Sequence, residues 1–457
     1  MTGTHEGATM PDRDALKRMV SDTIDLNRAE IIAFAKDIMD HPETGFKEHR
    51  TSEMAARKLD DMSVPYRKQL AITGLKGKLE GRAGPGPSVA ILGELDSLLV
   101  FEHPCADPET GAAHACGHNA QMGMMLGATM GIRASGVLDH LCGSVVPFAV
   151  PAEEFVELED RMALRSEGKL EFLGGKQELI RLGEFDDVDI AMMCHTASDM
   201  GERMFSFGGT SNGHIVKYIQ YIGRGAHAGA APHMGINALN AANLGMAAIH
   251  ANRETFRERE TVRIHGIINK GGEAVNAVPS DVRLEWRVRS SNAEDLVKNN
   301  AAVDRCFKAG ALAVGAQVKI TNIPGYMPLR HDPVLQDVLL DNATALLGRD
   351  HILTIPGHRS RGGSTDMGDL SQIMPVCHPY TGGATGPGHS KDYMIADYER
   401  AVINPAKIMA MAVVDLLAED GHKAKEVIQR SVPTMTKDEY VSFQRERAQE
   451  ELYDGGI

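Results

Sequence analysis

Four short apolar runs constrain this chain most: "LKGKLEG" from Leu75, "SVAILGEL" from Ser88, "SVVPFAVPA" from Ser144 and "DIAMMCH" from Asp189. Each has the length of a buried strand. Helical segments lie between them, notably "NAQMGMMLGATMGIRAS" from Asn119. Strands alternating with helices predict an α/β fold, a mostly parallel sheet covered by helices on both faces. Upstream, residues 12 to 40 repeat apolar side chains at helical spacing (Leu16, Met19, Val20, Ile24, then Ile31, Ile32, Phe34, Ile38), until "HPETGF" stops them.

The pattern changes near residue 205. "HIVKYIQYIG" reads as a strand, "NALNAANLGMAAIHANRETF" as a helix and "TVRIHGIINKGG" as a strand. In "DVRLEWRVR", Val282, Leu284, Trp286 and Val288 alternate with Arg283, Glu285, Arg287 and Arg289, the period of a half-exposed strand. A helix from Asn292 and the strand "QVKITNI" complete a βαββαβ order, which suits an inserted α+β unit with helices on one face of a sheet. The expected division is therefore residues 206–325 for the insert and residues 1–205 with 326–457 for a discontinuous first domain. A chain of 457 residues is long enough for two cores. The charged tail "TKDEYVSFQRERAQEELYDGGI" reads as a surface helix with a loose end.

The chemistry-bearing residues gather where these runs end. "HACGHN" puts Cys116 and His118 two residues apart, which fits metal ligation and equally a turn with a buried thiol and a surface histidine. Glu153 and Glu154 follow the third run, and adjacent carboxylates there are costly to bury unpaired. His195 follows the fourth run, and His389 lies in the glycine-rich "YTGGATGPGHSKDY". Ligands bind at the carboxyl ends of strands in open α/β sheets. Cys116, His118, Glu154, His195 and His389 then form a mixed sulfur, nitrogen and oxygen set that suits zinc, or manganese or cobalt with a weakly engaged thiolate.

Composition removes other classes. A net charge of −14 argues against nucleic acid as a partner. No apolar run approaches 18 residues, so no membrane partner is expected. Six cysteines at scattered positions, without a signal-like N-terminus, read as reduced thiols in a cytoplasmic protein. No Gly-x-Gly-x-x-Gly follows a strand, which disfavours a nucleotide-dependent oxidoreductase.

Taken together, "HPETGFKEHRTS", "GELDSL", "HACGHN", "PAEE", "CHTASD", "GRGAHAGAAPHMGINAL", "GGEAVNAVPS", "GGSTDMGDLS" and "GPGHSKDY" resemble the metallopeptidase and amidohydrolase family of aminoacylase, hippurate hydrolase, auxin-conjugate hydrolases and aminobenzoyl-glutamate hydrolase. The resemblance implies Cys116, His118, Glu154, His195 and His389 as metal ligands and Glu153 as general base. It implies that the insert is a lid and dimerisation domain, and that the chain is a homodimer. His227 of the insert would reach into the partner's site to steady an oxyanion, while Asn276 and Arg289 hold the substrate's polar end. "GELDSL" departs from the family's Asp-x-Asp-Ala-Leu-Pro; Asp96 is expected to orient a ligand, and one zinc or manganese ion or two remain open.

The expected reaction is metal-dependent hydrolysis of a C–N bond in a small carboxylate-bearing substrate, an amide of an N-acyl or N-aroyl amino acid. Arg289, Arg359 and Arg361 are candidate carboxylate clamps. The alternative is hydrolytic removal of an amino group from an electron-poor aromatic ring, such as a substituted aminobenzoate, with release of ammonia. A non-catalytic binding protein of the same fold would be expected to lose the base or the ligands, and all are present.

Overall fold

The computed structural model describes residues 11–198, 200–257 and 261–456. Its central sheet runs in the order Tyr66–Leu70, Gly74–Gly77, Ser144–Val150, Ser88–Glu94, Ile190–Met192, Val376–Cys377. The last four strands are parallel, as expected from the alternation with helices. The first two, and the short Leu79–Glu80, add an antiparallel edge.

Every residue of Ser88–Glu94 and Ser144–Val150 is buried, because both faces of the sheet are covered. Strand pleating divides the load: Val89 and Ile91 enter one apolar core, and Ala90 and Leu92 the other. The first core takes the apolar faces of helices Arg13–Leu26, Arg28–Asp40, His118–Ala134 and Asn404–Leu417. In Arg13–Leu26 the buried residues are Leu16, Val20 and Ile24, one face at four-residue spacing. Each such side chain contributes about 1.5–3 kcal/mol on burial.

Ser88–Glu94 is the pivot of the topology. The chain leaves it for Ser144–Val150 on one side and arrives at Ile190–Met192 on the other. Such a reversal opens a crevice at the carboxyl ends of the strands.

The inserted sheet is antiparallel, in the order Arg263–Lys270, Asp281–Ser290, Gly213–Ile222, Gln317–Pro324, Gln449–Asp454. Asp281–Ser290 alternates without exception between buried and half-buried residues. Val282, Leu284, Trp286 and Val288 share a core with Phe307 of helix Ala293–Val314 and Ala241 of helix Ala238–Asn252. The βαββαβ order read from the sequence is present. A smaller sheet joins Ile352–Ser360, Phe205–Thr210, Tyr380–Thr381 and His195–Thr196.

The tail differs from its expectation. Helix Lys437–Arg447 buries Tyr440 completely, with the phenol donating to Asp369 Oδ1 at 2.7 Å, and a Thr436–Glu439 capping box starts it. The end is not loose: Gln449–Asp454 becomes the fifth strand of the inserted sheet. Polar groups buried against polar partners left no apolar pattern for the sequence to reveal. Among the described residues, no single helix is long and apolar enough to cross a membrane.

Candidate metal centre

The crevice at the strand ends collects the five expected ligands. Ligand atoms of Cys116, His118 and His195 lie within 4.8 Å of one another, and so do those of Cys116, Glu154 and His389. Cys116 is common to both groups, which is the arrangement of a thiolate shared by two ions.

Local structure fixes each ligand. Gly117 takes φ 84° before helix His118–Ala134, and a Cβ there would stand 2.2 Å from Thr196 Oγ1. Only glycine makes that turn, which places Cys116 and His118 at the mouth of the helix. His118 Nδ1 is held by the Asp96 carbonyl at 2.8 Å and lies 3.3 Å from Asp96 Oδ1. Asp96 Oδ2 also accepts from the Glu154 backbone N–H at 2.8 Å, so this buried carboxylate orients two ligands at once. His195 Nδ1 donates to the Thr196 carbonyl at 2.7 Å, which leaves Nε2 facing Cys116 Sγ at 3.4 Å. His389 adopts φ 61° and is tethered by its N–H to the Ala115 carbonyl at 2.8 Å. Its Nε2 lies 3.4 Å from Cys116 Sγ and 3.1 Å from Glu154 Oε1.

The residues fit a divalent cation on their own chemistry. The buried His118 Nε2 lies 3.1 Å from Glu94 Oε2, yet has no hydrogen-bonding partner of good geometry. Burial alone would raise the Cys116 thiol, but His195 and His389 outweigh it and hold it at about 5. Glu154 and Cys116 push His389 up to about 11. Burial opposes ionisation of Glu154, and His389 nevertheless holds its carboxyl below the ordinary range. Thiolate and carboxylate here gather positive charge, and a bound cation displaces protons from such a set.

Glu153 is different. Burial, then the Glu94, Glu154 and Asp366 carboxylates, push it well above the usual carboxylate range. Its loop is strained: Ala152 has φ 52° and is fully buried. The strain is held by Glu48, whose Oε1 accepts from the Ala152 N–H at 2.8 Å.

Arg289 and Arg361 line a cavity of about 550 Å³ over the cluster, with Glu153, Glu154, Cys116, His195 and His389 in its wall. Arg289 Nη1 donates to Ser364 Oγ at 2.8 Å, and Arg361 lies over the Tyr380 ring at 4.3 Å. His227 and Asn276 are not brought to this cavity. They lie together on an exposed loop pair, with the Ala228 N–H donating to the Asn276 carbonyl at 2.9 Å. His227 Nδ1 accepts from the N–H groups of Gly229 and Ala230, so the proton sits on Nε2. Arg359 is exposed and does not line the cavity.

Sequence reasoning missed a buried ionic cluster beneath the ligands. Lys176 Nζ, fully buried, bridges Glu94 Oε1 at 2.6 Å and Asp366 Oδ1 at 2.5 Å. Gln121 Nε2 donates to Glu94 Oε2 at 2.9 Å. Glu94 also forms a third compact group with His118 and Glu153. Its signal was the glutamate that opens "GELDSL"; Lys176, in "GGKQELI", gave none. Arg263, His265, Arg287, His214 and Tyr326 of the cavity wall were likewise not singled out.

The peptidase dimerisation domain family matches residues 209–314. Xaa-Arg dipeptidase of Mus musculus is 28% identical over 432 residues, 91% of each chain. One of the two chains of the p-aminobenzoyl-glutamate hydrolase of Escherichia coli (strain K12) is 27% identical over 309 residues, 66% of this chain and 59% of that one. Among solved structures, a Bacillus subtilis protein described as a dinuclear metal binding peptidase has a TM-score of 0.63 at 20% identity, covering 86% of this chain and 99% of its own. The aminobenzoyl-glutamate utilization protein of Klebsiella pneumoniae has a TM-score of 0.66 at 17% identity, covering 88% and 99%. The family resemblance and the fold class read from the sequence are borne out.

Proposed function

From the premise that this chain is a metal-dependent hydrolase related to the peptidases and amidohydrolases, we propose that it cleaves the amide of a small N-acyl or N-aroyl amino acid at this cavity. The observation that carries the reading is the pair of three-ligand groups sharing Cys116, with Glu153 beside them and outside both. Relatives named p-aminobenzoyl-glutamate hydrolase and N-acyl-L-amino acid amidohydrolase support the substrate class.

Cys116, His118 and His195 would hold one divalent ion, and Cys116, Glu154 and His389 a second, with zinc or manganese matching the donors. Bound there, such an ion supplies Lewis acidity and makes water a nucleophile near neutral pH. Glu153 takes the proton of the attacking water and delivers it to the departing nitrogen. Its raised affinity for protons suits a shuttle, since a group that binds too weakly cannot return what it takes. Arg289 and Arg361 orient the carboxylate by paired hydrogen bonds. His227, whose Nε2–H points away from its own loop, serves the partner's cavity in a homodimer. We place the enzyme in the cytoplasm, consistent with six unpaired cysteines.

Aromatic walls keep a second reaction in view. Phe155, Tyr326 and Tyr380 line the cavity with flat faces that suit a ring. Deamination of an aminobenzoate would use the same base. A panel of N-acyl amino acids and aminobenzoates, with ammonia assayed separately, tests both. Amino-acid release is expected; ammonia without it overturns the amide reading. Glu153→Gln should lower kcat by about 10²–10⁴-fold while metal content stays the same, and wild-type turnover in that variant would remove Glu153 from its role.

A further inference from the structure

We propose that the substrate of this cavity carries a second carboxylate in addition to the one adjoining the scissile bond, and that Arg287 on the inserted sheet is its receptor. The proposal rests on the C–N hydrolase reading of the cavity and narrows its substrate class to dicarboxylates.

The roof is one face of a sheet. Arg287 and Arg289 stand two residues apart on Asp281–Ser290 and therefore share a face. Arg263 sits directly opposite Arg289 on the neighbouring strand, and His265 directly opposite Arg287. All four line the cavity, and Arg361 joins them from across the crevice. Like charges directly opposite each other in a sheet are destabilising. Proteins offset such pairs with carboxylates, yet among the described residues Arg263, Arg287 and Arg289 form no ion pair. Arg287 Nη2 donates to the Phe155 carbonyl, Arg289 to Ser364 Oγ and His265 Nε2, and Arg263 to the Val262 carbonyl. None of these neutral acceptors cancels a charge.

One carboxylate offers two oxygens, which Arg289 and Arg361 are enough to engage. Arg287 is then surplus, with Arg263 at the exposed rim beside it. The floor does not supply the missing anion, since Glu154 belongs to a ligand group and Glu153 to the proton transfer. His214 adds an independent sign. It is 1% exposed, lines the same cavity, and neither ring nitrogen has a hydrogen-bond partner among the described residues. Buried polar groups without partners are rare and point to a ligand or water. Burial and then Arg289 and Arg287 keep this imidazole neutral, so it can donate to an oxyanion without adding a charge of its own. A basic substrate side chain would meet like charge in this roof.

The test separates binding from turnover. Calorimetry on the purified, metal-loaded protein compares glutarate with butyrate, which differ by one carboxylate. Glutarate is expected to bind at least tenfold more tightly. Arg287→Gln should weaken glutarate about tenfold and leave butyrate unchanged, and Arg287→Lys should restore part of the difference. Equal affinities for the two acids, or equal weakening of both by Arg287→Gln, overturn the proposal. Far-UV circular dichroism of each variant confirms that the sheet is intact. Turnover of N-acyl-glutamate is measured separately: a protein that prefers glutarate but hydrolyses no amide loses its reaction assignment and keeps its dicarboxylate receptor.

Discussion

Glu48 shows what single residues do around this centre. It is fully buried, its two oxygens accept from the Ala152 N–H and the Thr73 hydroxyl, and burial followed by Asp96 pushes it up to about 8. Between its ordinary value of 4.5 and 8, the folded protein holds a proton that the unfolded chain has released. Stability therefore falls as pH rises through that window and levels off above it. Glu48→Gln copies the protonated acid, so its melting temperature should match or exceed wild type at pH 8, with the gap closing toward pH 5. Thermal melts across that range check this, and a variant that melts lower at pH 8 would refute it. Lys176 poses the opposite case, a buried cation between two carboxylates. Lys176→Met leaves Glu94 and Asp366 buried without their counter-charge, which costs about 3–5 kcal/mol in comparable pairs. Urea midpoints will read that loss. The ligands were legible because Cys, His and Glu at strand ends are expensive unless used. Lys176 was not, because a lysine inside a helical segment looks the same whether it meets water or a carboxylate.

Among the elements, strand Asp281–Ser290 was the most legible and carries the sharpest contrast. Its alternation announced two faces, and the structure uses them differently. Trp286 is 5% exposed in the inserted core, and Arg287 lines the cavity. Trp286→Ala should destabilise by about 3–5 kcal/mol. Arg287→Ala, which breaks one hydrogen bond to the Phe155 carbonyl, should cost about 1 kcal/mol. Denaturant midpoints of the two variants test the division of labour within one strand. The sequence reading took the polar face for a solvent face, because alternation records that a face is polar and not what it faces. Strand Gln449–Asp454 was illegible for a related reason. In "QEELYD" only Tyr453 packs on the core, and edge strands are commonly charged so that they resist further pairing.

At the scale of the whole molecule, the C-terminal segment ties the two halves together. Helix Lys437–Arg447 is rooted under Asp369 in the first unit, and only Ala448 separates it from a strand that belongs to the second. The βαββαβ order was readable from local periodicity, whereas this return of the chain was not, since it depends on contacts across more than a hundred residues. Its sixfold register along Gln317–Pro324 also decides how copies of the molecule can meet. A sheet has two borders, and here one is already sealed by the chain's own end. The other, Arg263–Lys270, exposes Ile267 and Ile268. Strand-to-strand addition then has a single port, and two molecules joined through it leave nothing for a third. Deleting residues 449–456 should reopen the sealed border and turn a finite pair into growing chains, visible as rising light scattering with protein concentration. The last few residues thus act as a terminator, setting the number of copies at which growth stops.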